Sequence, residues 1–176
     1  FSKFGIIYAG AQKNMGPAGT ALVVVKEEIL GKNGRTIPSM LDYAKHIKAE
    51  SMYNTPPVFP VYASLLTLQW LKNLGGIPAI EKINNAKADL LYTEIDRNPL
   101  FKGTAVVEDR STMNATFLLN TPLHTDTFNA MLKEAGVVGL PGHRSVGGYR
   151  ASIYNAMPLE SVQVLVDVMK DLENRV

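Results

Sequence analysis

Apolar residues along this chain follow two kinds of spacing, and the switch between them marks out its elements. Near the start, "FGIIYA" and "TALVVVKE" are short apolar runs on either side of a loop of small residues, which is the pattern of buried strands. Glu27–Leu30 suits a single helical turn, and residues 31–39 read as a loop. From residue 58 the period lengthens. Val58, Tyr62, Leu65, Leu66, Leu68, Leu71 and Leu74 recur at helical spacing, up to a stop at Gly75-Gly76. Pro56 and Pro57 suit the first turn of that helix, where an N–H is not needed, and Thr55, held extended by the proline after it, is the expected N-cap. A second helix is predicted over Ile77–Asp96, with Ile80, Ile83, Leu90, Leu91 and Ile95 turned inward. The remainder alternates: a strand near Thr104–Val107, a strand at "MNATFLLN" and a helix over Thr125–Ala135. A short strand at "VVGL", a strand at "YRASIYN" and a helix over Leu159–Asn174 complete it.

This order predicts an α/β fold in which helices pack on a small mixed sheet. The break at Gly75-Gly76 divides the chain into residues 1–75 and a self-contained α/β unit over residues 76–176. There is no internal repeat. The 176 residues suffice for a sizeable core, and at 46% hydrophobic residues the composition is that of a soluble globular protein. A net charge of +2, with the basic residues scattered, argues against nucleic acid or a membrane surface as partner. No apolar run approaches the roughly 18 residues of a membrane-spanning helix. The absence of cysteine removes disulfides, thiolate ligands and thiol nucleophiles together, and fits a cytoplasmic location. The chain starts without a methionine and enters an apolar run almost at once, so we expect it to be the C-terminal part of a longer protein.

Glycine-rich stretches invite a nucleotide reading, but neither one sustains it. "GAQKNMG" lacks the Gly-Lys-Ser/Thr ending of a P-loop, and "GLPGHRSVGG" lacks the Gly-x-Gly-x-x-Gly spacing. His46, His124 and His143 are far apart and none is paired at i,i+4, so no metal site is expected. There is no Gly-x-Ser-x-Gly elbow. Three stretches remain. Lys13, in "IIYAGAQKNMGPAG", sits among small residues at the end of a predicted strand. It reads either as a solvated loop lysine or as an amine nucleophile with room beside it for a flat cofactor. "MYNTPP" reads either as a well-capped helix start or as a phosphate site at one. "GHRSVGGYRASIYN" brings His143, Arg144 and Arg150 together around glycines, either as a surface ion-pair loop or as a grip on an anionic small molecule.

Taken together, "YAGAQKNMGPAG", "SMYNTPP" and "GHRSVGGYRASIYNAMPLESV" closely resemble the phosphoserine aminotransferases, pyridoxal-phosphate enzymes of the aspartate-aminotransferase fold type. The resemblance runs through essentially the whole chain in the right order. It implies that residues 1–75 are the tail of the large cofactor domain and residues 76–176 the small C-terminal domain. It also implies that Lys13 is the residue joined to pyridoxal 5'-phosphate as a Schiff base, with Gln12 at the cofactor phosphate. Asn54 and Thr55 would complete the phosphate cup of the other subunit in a homodimer. Arg150 would clamp the substrate α-carboxylate. His143 and Arg144 would reach across the dimer to the phosphate of phosphoserine or the side-chain carboxylate of glutamate. The implied reaction passes nitrogen between glutamate and 3-phosphohydroxypyruvate, giving phosphoserine and 2-oxoglutarate in serine biosynthesis. Some bacterial members also act on a phosphorylated hydroxythreonine in pyridoxine biosynthesis. In that family an aspartate pairing with the pyridinium nitrogen precedes the lysine, whereas the first aspartate here is Asp42. A rival of the same fold type, a cysteine desulfurase, needs a cysteine that this chain lacks. A rival of another class is a non-catalytic dimerisation or anion-binding fragment without cofactor.

Overall fold

A computed structural model describes residues 2–32, 34–142 and 147–176. The chain divides into two compact units, Phe1–Asn73 and Leu74–Val176.

The first unit opens with a two-stranded antiparallel ribbon. Strands β1 (Ile6–Gly10) and β2 (Ala21–Val25) pair from Ile6 opposite Val25 to Gly10 opposite Ala21. The apolar runs form strands as their β-branched content predicts, but they are not buried: Tyr8, Leu22 and Val24 are all exposed. Burying a strand needs a layer on its face, and among the described residues two strands make the whole of this sheet. A short helix, α1 (Tyr43–Lys48), is capped by Asp42, whose carboxylate accepts from the Ala44 N–H at 3.1 Å. Helix α2 (Val58–Asn73) follows.

Its start corrects the sequence expectation. The helix begins at Val58, not Pro56, and the Val61 N–H donates back to the Pro57 carbonyl at 3.2 Å. Thr55 therefore lies outside the N-cap position. The cause is the proline pair: Thr55 precedes Pro56 and Pro56 precedes Pro57, and a residue before proline is pushed out of the helical region. Apolar residues occupy more than one side of α2, and Val58, Phe59, Tyr62, Leu65 and Trp70 stand exposed.

In the second unit three helices cover one face of a three-stranded sheet. Helix α3 (Gly76–Arg97) is followed by β3 (Phe101–Gly103), β4 (Asn114–Leu119), α4 (Thr125–Glu134), β5 (Tyr149–Ser152) and α5 (Leu159–Arg175). The strand order is β3-β4-β5. Both described ladders are antiparallel; a parallel one, which a mixed sheet requires, is not among them. Side chains alternate across the sheet as the pleat dictates. Phe101, Ala115, Phe117, Tyr149 and Ala151 enter the core, where they meet Leu91, Ile95, Phe128, Met169 and Leu172 from the helices. Phe117 stacks on Tyr149 at 5.4 Å, and Phe128 meets the Tyr149 ring edge-on at 5.1 Å. Pairs of this kind add about 0.5–1.5 kcal/mol each beyond their burial. Asn98 ends α3 from inside the core, donating to the Glu94 carboxylate (2.9 Å) and the Met169 carbonyl (3.1 Å) while accepting from the Leu100 N–H.

Two predicted strands are displaced or missing. The strand expected near Thr104–Val107 lies earlier, at Phe101–Gly103, because Phe101 is the side chain that enters the core while Val106 and Val107 are exposed. "VVGL" forms no strand; an isolated bridge follows it, between the next residue, Pro141, and Tyr149. Gly136 and Gly139 both take φ of +73°, which breaks the extended backbone on each side of the two valines.

Candidate active site

Lys13 stands in the loop that joins β1 to β2. The ladder continues one step beyond the strands through the Ala11 N–H, which donates to the Thr20 carbonyl at 3.0 Å, and Ala11 itself is buried. The Lys13 N–H turns back onto the Ala11 carbonyl, so the lysine is set at a tight corner just past a firmly held residue. Both Lys13 and Gln12 are exposed.

The small residues around this lysine have specific tasks. A Cβ on Gly10 would run into the Gln12 side-chain amide, so the missing side chain leaves the cradle in which that amide rests. Gly16 (φ +147°) and Gly19 (φ +119°) lie against α2, where a Cβ would stand 2.6 Å from Ser64 Oγ and 2.8 Å from Pro60 Cγ respectively. Packing alone thus accounts for three of the small residues. Gly16 and Gly19 let the lysine loop close on the helix, and Gly10 lets Gln12 fold back.

Asn54 and Thr55 precede α2 and are exposed. The Asn54 amide donates to Met40 Sδ at 3.1 Å, and His46 Nε2 donates to the carbonyl of the same Met40 at 3.0 Å. The edge of Tyr53 meets the His46 ring at 5.5 Å. Just upstream, Glu50 (φ +50°) and Ser51 (φ +65°) occupy the left-handed region, which costs a non-glycine residue about 1–3 kcal/mol. The Ser51 N–H closes onto the His46 carbonyl at 2.8 Å and holds this turn. Nothing in the local sequence signals it.

Arg150 belongs to the second unit. It sits in β5 opposite Thr116, between the buried Tyr149 and Ala151, and so on the face of the sheet away from the core. Its N–H donates to the Leu140 carbonyl at 2.7 Å. The same face carries a polar row: the Ser152 hydroxyl donates to Asn114 Oδ1, and the Asn114 amide to the Tyr154 hydroxyl at 2.7 Å. Thr104 and Thr116 join by their hydroxyls. His143 and Arg144 lie outside the described residues. The chain on either side of them is described: the Gly142 N–H donates to the Gly148 carbonyl at 2.8 Å. Gly148 takes φ of +65°, and a Cβ there would stand 2.7 Å from the Phe117 carbonyl.

Pattern reading overlooked Lys87, which is 0% exposed. Its ammonium donates to the carbonyls of Ile153 (2.9 Å), Tyr154 (2.8 Å) and Met157 (3.1 Å). Burial pushes its pKa below the usual lysine value, while three acceptors for three protons oppose that push. One turn earlier, Asn84 donates to Asn155 Oδ1 at 2.8 Å. Among the described residues no cluster of His, Cys, Asp and Glu could hold a metal ion, and no helix is long and apolar enough to cross a membrane.

Three findings from known proteins bear on this arrangement. The family model described as aminotransferase class-V matches residues 1–165. The phosphoserine aminotransferase of Flavobacterium johnsoniae is 83% identical over all of this chain, which covers 49% of that protein. Two solved structures are also similar. The phosphoserine aminotransferase of Bacillus circulans subsp. alkalophilus is 42% identical, with a TM-score of 0.91 over 99% of this chain and 48% of that one. The pyridoxal-phosphate-bound phosphoserine aminotransferase of Trichomonas vaginalis is 39% identical, with a TM-score of 0.87 over 96% of this chain and 48% of that one. The chain spans about half the length of the curated relatives it matches.

Proposed function

The chain belongs to the class-V aminotransferase family, and on that premise we propose that it supplies the lysine-bearing half of a phosphoserine transaminase. One observation carries the reading. Lys13 is presented, exposed, at the corner of the β1–β2 loop, with the Gln12 amide folded into the space that Gly10 leaves. A primary amine beside an amide donor is the donor set that an aldehyde bearing a phosphate requires, so these residues fit pyridoxal 5'-phosphate.

When bound, the cofactor supplies an electron sink for the bond broken at the amino-acid Cα. This chain's residues would do the rest. Lys13 Nζ would hold the cofactor aldehyde and, once released by the incoming amino acid, would take the proton from Cα as general base and deliver it to the former aldehyde carbon as general acid. Gln12 donates to the cofactor phosphate. Asn54 and Thr55 donate to the phosphate held by a second copy. Thr55 does so from its hydroxyl in the segment before α2, outside the helix cap. Arg150 offers its planar fork to the α-carboxylate from the sheet face that the helices leave open. His143 and Arg144 take the substrate phosphate, or the side-chain carboxylate of glutamate, across a homodimer. The reaction is nitrogen transfer from glutamate to 3-phosphohydroxypyruvate, giving phosphoserine and 2-oxoglutarate, in the cytoplasm.

The test joins this chain to the N-terminal half of the Flavobacterium johnsoniae relative. The joined protein should form phosphoserine from glutamate, and borohydride with pyridoxal phosphate should leave the pyridoxyl mass on the peptide containing Lys13. A label on another lysine, with transamination intact, would overturn the role given to Lys13.

A further inference from the structure

Transamination as described leaves one buried cation without a task. Lysine is almost never fully buried unless it is paired, yet Lys87 is closed in by three backbone carbonyls, one for each ammonium proton. All three oxygens lie on a single stretch of chain, where β5 ends and turns towards α5. Asn84, on the same face of α3, holds Asn155 in the middle of that stretch. The Met157 N–H donates to the Tyr154 carbonyl at 2.9 Å and closes the turn.

Strand β5 has little else to fix its end. It is four residues long and lies at the edge of the sheet, and it is entered through two left-handed glycines, Gly147 and Gly148. Its last ladder contact outside the strand is the Ile153 N–H to the Met113 carbonyl at 2.9 Å. Arg150 sits three residues before the first carbonyl that Lys87 holds.

We propose that Lys87 is a positioning residue for Arg150: its ammonium pins the exit of β5 to α3 from within the core and so fixes where the arginine fork meets a carboxylate on the open face. The inference rests on the carboxylate-clamp reading of Arg150 given above. A neutral side chain of similar length would fill the space but take the ammonium from all three oxygens, leaving Tyr154 only its bond from the Met157 N–H and releasing the turn without emptying the core.

The joined enzyme described above is the material for the test, with Lys87→Met and the milder Asn155→Ala. Amide hydrogen exchange should speed up over residues 150–157 while α4 and the rest of α5 keep their protection. The KM for 2-oxoglutarate should rise about tenfold in Lys87→Met, and less in Asn155→Ala, with kcat within about twofold. Propylammonium added to Lys87→Ala should restore both readouts. Uniformly faster exchange with an unchanged KM would reduce Lys87 to a stabilising group and overturn the proposal. If Lys87→Met does not fold, Asn155→Ala decides the matter by the same two readouts. An unchanged KM in Arg150→Met would overturn the clamp reading and the proposal with it, while the exchange data would still report separately whether the tether exists.

Discussion

Gly16 lies so close to Ser64 of α2 that a Cβ on it would stand 2.6 Å from the serine oxygen. This approach seats the lysine loop on its helix, and it couples a backbone position to the placement of Lys13. Gly16→Ala meets both the serine and the unfavourable φ of +147°, at a cost of about 1–3 kcal/mol. The loop should lift from α2. The rate at which borohydride traps pyridoxal phosphate on Lys13 in the joined enzyme should fall about tenfold or more, and an unchanged rate would show that the contact does not place the lysine.

Arg150→Lys keeps the positive charge and removes the fork. If Arg150 clamps the α-carboxylate through two parallel hydrogen bonds, losing one of them costs about 1.5–3 kcal/mol. The KM values for glutamate and phosphoserine should then rise together by about 10- to 100-fold. A rise for only one of the two would assign the arginine to a side-chain group.

Asn98 is buried and spans three partners at the end of α3: a carboxylate, a carbonyl of α5 and the Leu100 N–H. Asn98→Ala strands buried polar groups on both helices, and a loss of about 1–3 kcal/mol is expected in urea unfolding of the 176-residue chain. Asn98→Asp should also lose stability, because it brings a second carboxylate against Glu94.

Asp96 is paired with Arg110 through two bonds of 2.7 Å, which hold its carboxyl below the usual value of 3.8. Below that value the unfolded chain takes up the proton before the folded chain does. The contribution is therefore complete above pH 3.8 and is lost as pH falls through the lower folded value. Asp96 is half exposed, so solvent screening keeps the effect small. In thermal melts from about pH 5 to about pH 2, Asp96→Asn should lower stability near neutrality and flatten the acid limb. An acid limb identical to that of the parent would exclude this pair as its source.

The long helices were the most legible part of the chain. The apolar periods at Ile80, Leu91 and Ile95 and along α5 are strong local signals, and both helices lie within a residue or two of the predicted spans. The strands of the first unit were legible as strands but not as exposed, because an apolar run reports what could be buried and not whether a covering layer is present. The Thr55 cap fails because placing both prolines in the first turn overlooks that Pro57 pushes Pro56 itself out of the helical region. Gly16 and Gly19 could be read as small but not as contacts, since the partner helix lies about 40 residues further on. Lys87 was invisible for a related reason: its acceptors are backbone carbonyls up to 70 residues away, and every residue type has a carbonyl to offer.

The bond between Gly142 and Gly148 has a consequence for how this scaffold can vary. It joins the backbone before residue 143 to the backbone after residue 146, and a side chain on the glycine at its far end would meet Leu118 and the Phe117 carbonyl of β4. Change at either end of this bond therefore acts on β5 itself. A side chain at position 148 would push against β4 and shift the register that places Arg150 opposite Thr116, so these two glycines are fixed points of the sheet.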